Sequence, residues 1–169
     1  IRDWSVTGVQ TCALPILNTF LETYLAKGNY VDCYASTIDK QVSFPEFVFA
    51  FYTTWLFKTE RLILNLLVNK PSSDLQAKQL ADNEIDHFAA WTVERRGENE
   101  ILMCDFLSRT RSWLMVEKAE AGTKLHFGSA VVPAKGSENL DFGFRALLGF
   151  HQIYSILLLY AAKRKLLSK

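Results

Sequence analysis

Arg111, His126 and His151 are the side chains of this 169-residue chain whose types and neighbours offer chemistry. Placed in a strand, Arg111 projects among Trp91, Trp113 and Cys104, where a guanidinium needs an anionic partner that fits its fork of donors. That partner is either the carboxylate or phosphate of a small acidic ligand or a carboxylate of the chain itself, with Asp105, Glu60 and Glu117 as the choices. His126 and His151 are the weak candidates for moving a proton, with Asp105 and Glu117 as the carboxylates that would orient them. His126 falls across from Glu117 if the strands are joined by two-residue turns. A lone cross-strand pair of that kind is more often a surface pair, and His151 on an apolar helix face is more often a satisfied core histidine. No His, Cys or carboxylate spacing suits a metal, and there is no nucleophile elbow, phosphate loop or dinucleotide fingerprint, so no cofactor is implied.

Composition narrows the partners. With 19 basic and 18 acidic side chains the net charge is +1, too small a field to draw in nucleic acid. With Cys12 of the first sixteen residues set aside, Cys33 and Cys104 form an isolated pair without redox or metal spacing, as expected of free thiols in a cytoplasmic protein. The apolar run from Ala146 to Ala162 is at the lower limit for a bilayer span and contains His151, Gln152 and Ser155, so membrane insertion is not expected. The third face of that helix, with Arg145, Gly149, Gln152, Ile156, Leu159 and Lys163, also carries apolar groups, which predicts burial on a second side. A second copy in a homodimer, a terminal extension or crevice side chains would each supply that cover.

The elements that must position these residues follow from periodicity and caps. Leu17 to Ala26 has helical spacing and stops at Gly28-Asn29, and Tyr30 to Ile38 (YVDCYASTI) is rich in aromatic and β-branched residues and reads as a strand. Ser43 and Glu46 form a capping box with Pro45 in the first turn, opening a helical region that runs to Val68 with a weak point at Thr53-Thr54. Ser72-Ser73-Asp74 caps a short helix over Leu75 to Ala81. From His87 the period alternates, predicting an antiparallel meander of strands Phe88 to Arg96, Glu100 to Phe106, Arg109 to Lys118 and Thr123 to Val132. Pro133 to Asp141 reads as a polar loop, and Phe142 to Leu167 as a long apolar helix whose Lys163-Arg164-Lys165 suit a C-terminus. Two-residue turns put Trp91, Val93, Leu102, Cys104, Trp113, Met115, Gly128, Ala130 and Val132 on one face. Gly128 and Ala130 leave room there for a helix or a ligand, so this is the face expected to be concave.

A strand, a helical pair, an antiparallel meander and a long last helix resemble the START-like helix-grip superfamily, also called SRPBCC, over residues 30 to 167. The phrases DFLSRTRSW (Asp105 to Trp113), LHFGSAVVP (Leu125 to Pro133) and FRALLGFHQIYSILLLYAAKRKL (Phe144 to Leu166) look like a bacterial family within it to which no reaction is attached. The resemblance implies an α+β fold in which a curved antiparallel sheet wraps the C-terminal helix and leaves a cavity between them. Residues 1 to 16 (IRDWSVTGVQTCALPI) instead resemble a translated sequencing-library primer, which makes residues 17 to 169 the single expected domain.

The function expected from these readings is binding of a small apolar molecule that bears an acidic group. Arg111 would be its anchor, with Trp91, Trp113, Cys104, Tyr154, Phe51 and Trp55 along the cavity. A small acid-base enzyme of cyclase, isomerase or hydratase type is the alternative, and a dimerising structural or interaction module is the third.

Overall fold

The computed structural model describes residues 3–4, 8–11, 16–132 and 142–168. The loop expected over Pro133 to Asp141 lies outside the described residues. Among the described residues the fold is α+β, built on an open sheet of eight antiparallel strands.

Strand β1 (Asp3–Trp4) and strand β2 (Val9–Thr11) precede helix α1 (Glu22–Ala26) and strand β3 (Tyr30–Ile38). Helices α2 (Phe44–Tyr52), α3 (Trp55–Val68) and α4 (Asp74–Ala81) follow. The meander is β4 (His87–Phe88), β5 (Trp91–Arg96), β6 (Glu100–Asp105), β7 (Thr110–Ala119) and β8 (Gly122–Val131), and helix α5 (Phe142–Leu167) closes the chain. The sheet order is β1-β2-β3-β8-β7-β6-β5-β4, so the first long strand and the last are neighbours and the meander runs outward from them.

Local chemistry sets the helix boundaries. Ser43 accepts from the Glu46 backbone N–H while the Glu46 carboxylate accepts from the Ser43 N–H, and Ser73 and Gln76 form the same box at the start of α4. The weak point between the first two helices is a true break, with the hydroxyls of Thr53 and Thr54 turned back onto the carbonyls of Phe49 and Phe51.

Residues of two different strand parities form two separate cores. On one face Tyr34, Met103, Leu114, Leu125 and Phe127 meet α2 and α5, with Phe51, Tyr52, Phe57 and Phe88 packed ring against ring at centroid separations of 4.9 to 6.2 Å. On the other face Cys33, Leu102, Trp113 and Ala130 are covered by Ile16, Leu21 and Tyr24. Gly128 makes the second contact feasible: a Cβ there would stand 2.6 Å from Leu21 Cδ1 and 2.8 Å from the Asp32 carbonyl.

This arrangement reverses the expected assignment of faces. Arg111, Trp113, Cys104, Gly128 and Ala130 do share a face, but that face lies under the segment from Ile16 to Gly28, whereas α5 sits on the opposite one. The room left by Gly128 and Ala130 is filled by Leu21 and its neighbours. Trp91 also changes sides, because β5 carries a bulge between Val93 and Arg95. Trp91 therefore stands opposite Asp105 rather than Cys104, a slip of one residue that flips every side chain before the bulge.

Helix α5 packs on β2, β3 and β8 and against α2 and α3. From His151 onward its buried residues are Ser155, Ile156, Leu158, Leu159, Ala162 and Leu166, so Ile156 and Leu159 of the third face are covered within the molecule. No helix among the described residues is long and apolar enough to cross a membrane.

Candidate functional site

A cavity of about 240 Å³ lies between the α5-bearing face of the sheet and the helices. Phe51 comes from α2, Phe57 and Glu60 from α3, Trp91 from β5, Ser112 from β7, Phe127 and Ser129 from β8, and His151, Tyr154 and Leu158 from α5. Its volume exceeds the ~150 Å³ that suffices for a benzene ring, so it accommodates a molecule of one or two rings. Asp105, Phe106 and Thr110, from the β6–β7 turn, form one end. Two of the Asp105 contacts explain its place, since its Oδ1 accepts from the backbone N–H groups of Arg109 (2.7 Å) and Thr110 (3.1 Å).

Polar groups reach this apolar chamber in two separate sets, one around Glu60 and Tyr154 and one around His151 and Ser129. The Tyr154 hydroxyl donates to Glu60 Oε2 at 2.5 Å. Burial pushes the Glu60 carboxyl above the usual carboxylate range, and the polar contacts from Tyr154 and Trp91 offset this only in part. Burial, reinforced by the neighbouring carboxylate, likewise raises the Tyr154 phenol, so Tyr154 is a donor here and not an anion. Trp91 Nε1 is directed so as to favour Glu60, yet its N–H lacks hydrogen-bond geometry to any partner, and with the Tyr52 hydroxyl it is one of two such buried polar atoms among the described residues.

His151 sits one helical turn before Tyr154, on the same side of α5. Its Nε2 lies 2.7 Å from Ser129 Oγ, and Ser129 Oγ lies 2.5 Å from Asp32 Oδ1. Asp32, in the middle of β3, is buried, and the same Oδ1 also accepts from the Ser129 backbone N–H at 3.1 Å. Asp32 Oδ2 takes the hydroxyls of Tyr30 (3.3 Å) and Tyr34 (3.4 Å). Burial raises both phenols, Tyr30 to about 12, which keeps them protonated donors to this carboxylate. Gln152 donates to the Tyr30 hydroxyl at 2.9 Å, so adjacent residues of α5 hold onto the same polar cluster.

The residues expected to line the cavity divide. Phe51, Trp91 and Tyr154 line it with their side chains on the α5 side, joined there by His151, which the sequence marks only as an acid-base candidate. Trp113 is fully buried on the other face, where its indole donates to Glu100 Oε2 at 2.7 Å, and the Cys104 thiol bonds the Asp105 carbonyl at 3.4 Å. Trp55 is 73% exposed and belongs to a separate groove with Leu157 and Tyr160. Strand β7 brings Arg111 to the cavity wall, but its guanidinium turns to the opposite face. There Nε meets Glu94 Oε2 at 2.9 Å and the Tyr24 hydroxyl at 2.8 Å, Nη1 donates to the Ser108 carbonyl, and the group stacks 5.0 Å from the Tyr24 ring. Its carboxylate partner is thus Glu94, not Asp105, Glu60 or Glu117.

The two expected acid-base pairs also separate. His126 is wholly buried and its Nε2 lies 3.2 Å from Glu117 Oε2, but the strand register pairs His126 with Met115, so the contact is diagonal and on the face away from the cavity. His151 meets Ser129 and Asp32 instead of Asp105 or Glu117. Sequence reasoning passed over Asp32 and Ser129. The available signal was an acid in the middle of an aromatic, β-branched strand, where burial demands donors. Glu60 entered only as a partner for Arg111, because the reversed faces hid what it faces.

Among the described residues no group of three His, Cys, Asp or Glu is placed to hold a metal. Comparison of the chain with protein-family models, curated proteins and solved structures gives no match.

Proposed function

We propose that this chain is a small-molecule-binding domain of helix-grip type, whose ligand occupies the chamber between the sheet and α5. The observation that carries this reading is the chamber itself: apolar rings on most sides, with hydrogen-bonding groups converging from two ends. Of its lining groups, only Arg111 and His151 can carry positive charge, and Arg111 spends its guanidinium on Glu94. That shifts the preferred ligand from one anchored by an ion pair to a flat, largely apolar molecule with one hydroxyl or carbonyl. The orphan Trp91 N–H, Tyr154, Glu60 and His151 would satisfy such a head group.

Calorimetric titration with 2-naphthol, a two-ring compound with a single hydroxyl, tests the reading. Saturable one-site binding is expected. Leu158→Trp, which fills the chamber, should weaken it at least about tenfold, the equivalent of ~1.4 kcal/mol. Absence of saturable binding by the folded protein, or binding unaffected by Leu158→Trp, would overturn the assignment.

A further inference from the structure

We propose that His151 is a proton acceptor for the acidic hydroxyl of a phenol or enol bound in the chamber, held in readiness by Ser129 and Asp32. The inference rests on the binding reading above and specifies the chemistry of the ligand. It follows from where the hydrogens must lie. Asp32 Oδ1 accepts from the Ser129 backbone N–H, which can only donate, so this oxygen is an acceptor and the Ser129 hydroxyl donates to it as well. With its proton committed, Ser129 Oγ is left to accept, and the hydrogen between it and His151 belongs to Nε2. A neutral His151 of that tautomer carries its lone pair on Nδ1, which has no hydrogen-bond partner among the described residues. The ring lines the chamber with its side chain 28% exposed.

The order of the groups is Asp32, Ser129, His151, which differs from a hydrolase triad. There the histidine draws the proton from serine and the aspartate lies behind the histidine. Here Ser129 stands between the other two, is 1% exposed and points its proton at Asp32, so it bridges and does not attack. Its work is to hold the tautomer and to convey the field of the Asp32 carboxylate, whose Oδ2 lies 3.9 Å from His151 Nε2.

In the transfer the ligand O–H bond breaks, its electron pair stays on oxygen, and the proton forms an N–H bond at His151 Nδ1. The Nε2–H and the Ser129 O–H remain where they are. The products are an imidazolium facing the buried Asp32 carboxylate and a phenolate or enolate in the chamber. Glu60 of α3, bonded to Tyr154, and Asp105 are the acids that line this chamber; burial of Glu60 disfavours the charge that would repel such an anion, and Asp105 Oδ1 is engaged by the backbone N–H groups of Arg109 and Thr110. His151 is the catalytic residue of this step, while Ser129 and Asp32 are positioning residues.

The probe is 4-nitrophenol, whose phenolate absorbs in the visible, added to the intact protein just below the probe's own ionisation midpoint. Growth of the phenolate band on binding is expected. His151→Gln should still bind the probe, read by quenching of tryptophan fluorescence, but with the bound ionised-to-neutral ratio about tenfold lower, one unit in the ionisation equilibrium. Ser129→Ala leaves the imidazole and should lower that ratio by a smaller factor. Binding without ionisation, or equal ionisation in His151→Gln, would overturn the proton transfer while leaving the binding reading intact. Absence of saturable binding would overturn both.

Discussion

Arg111 and Glu60 exchange the roles that their residue types suggest. The cation sits at a structural pairing on the covered face, whereas the carboxylate that seemed a convenient partner for it stands in the chamber. Arg111→Ala is therefore expected to cost about 1–3 kcal/mol in stability, reduced by the partial exposure of Glu94, and to leave 2-naphthol affinity within about twofold. Chemical denaturation beside the calorimetric titration checks both halves, and a loss of affinity without loss of stability would restore Arg111 as the anchor. For Glu60 the sign runs the other way from a salt-bridged acid. Burial makes the folded protein hold this proton more tightly than the unfolded chain does, so its stabilising contribution is full below the ordinary carboxylate range and is lost as pH rises through the raised folded value. Glu60→Gln, which does not titrate, should gain on the wild type by a few degrees in Tm across that window. A Tm difference constant from about pH 4 to pH 9 would contradict the burial assigned to Glu60. Residue types alone could not have settled these roles, because the chemistry of an ionisable group follows from the face it occupies, which depends on strand register.

At the scale of elements, what was legible is what local chemistry controls. The strand Tyr30–Ile38, the capping box at Ser43 and the helix Phe142–Leu167 follow from side chains within a turn or two of each boundary, whereas at the weak point Thr53-Thr54 a kink and a break fit the sequence equally well. Ser43→Ala should cost about 1 kcal/mol in thermal or chemical unfolding, since it removes one half of the box. What was not legible is the parity of β5. The bulge between Val93 and Arg95 moves Trp91 across the sheet, and no residue there demands it. Gly122, the first residue of β8, sits at a close approach of two backbone segments. A Cβ there would lie 2.0 Å from the Ile38 carbonyl oxygen and 2.8 Å from the Lys40 N, both backbone atoms of the passing β3 end. Gly122→Ala is accordingly expected to cost about 3 kcal/mol or more, as overpacking against rigid neighbours does. A neutral outcome in denaturant titration would show that β3 and β8 part more easily than their pairing implies.

For the whole molecule, one sheet carries two unlike faces: a covered, structural one under Ile16 to Gly28 and a hollow one under α5. Of the described residues among the first sixteen, those of the edge strand β2 serve the hollow face, pairing with β3 through Gln10 and Thr11 and burying Val9. If the first sixteen residues are translated primer, a chain beginning at Leu17 should fold, lose a few degrees of Tm through the exposed β3 edge, and bind 2-naphthol within about twofold of the full chain. The distinction between the faces is most directly measured by following the tryptophan indole N–H signals in a ¹H–¹⁵N spectrum during 2-naphthol titration. Trp91 lies at the chamber with its N–H unbonded, whereas Trp113 is buried on the other side and bonded to Glu100. The expected result is a saturable shift of the Trp91 signal with Trp113 and Trp55 unmoved. A shift confined to Trp113, or saturable binding that moves neither, would contradict the placement of the ligand between the sheet and α5.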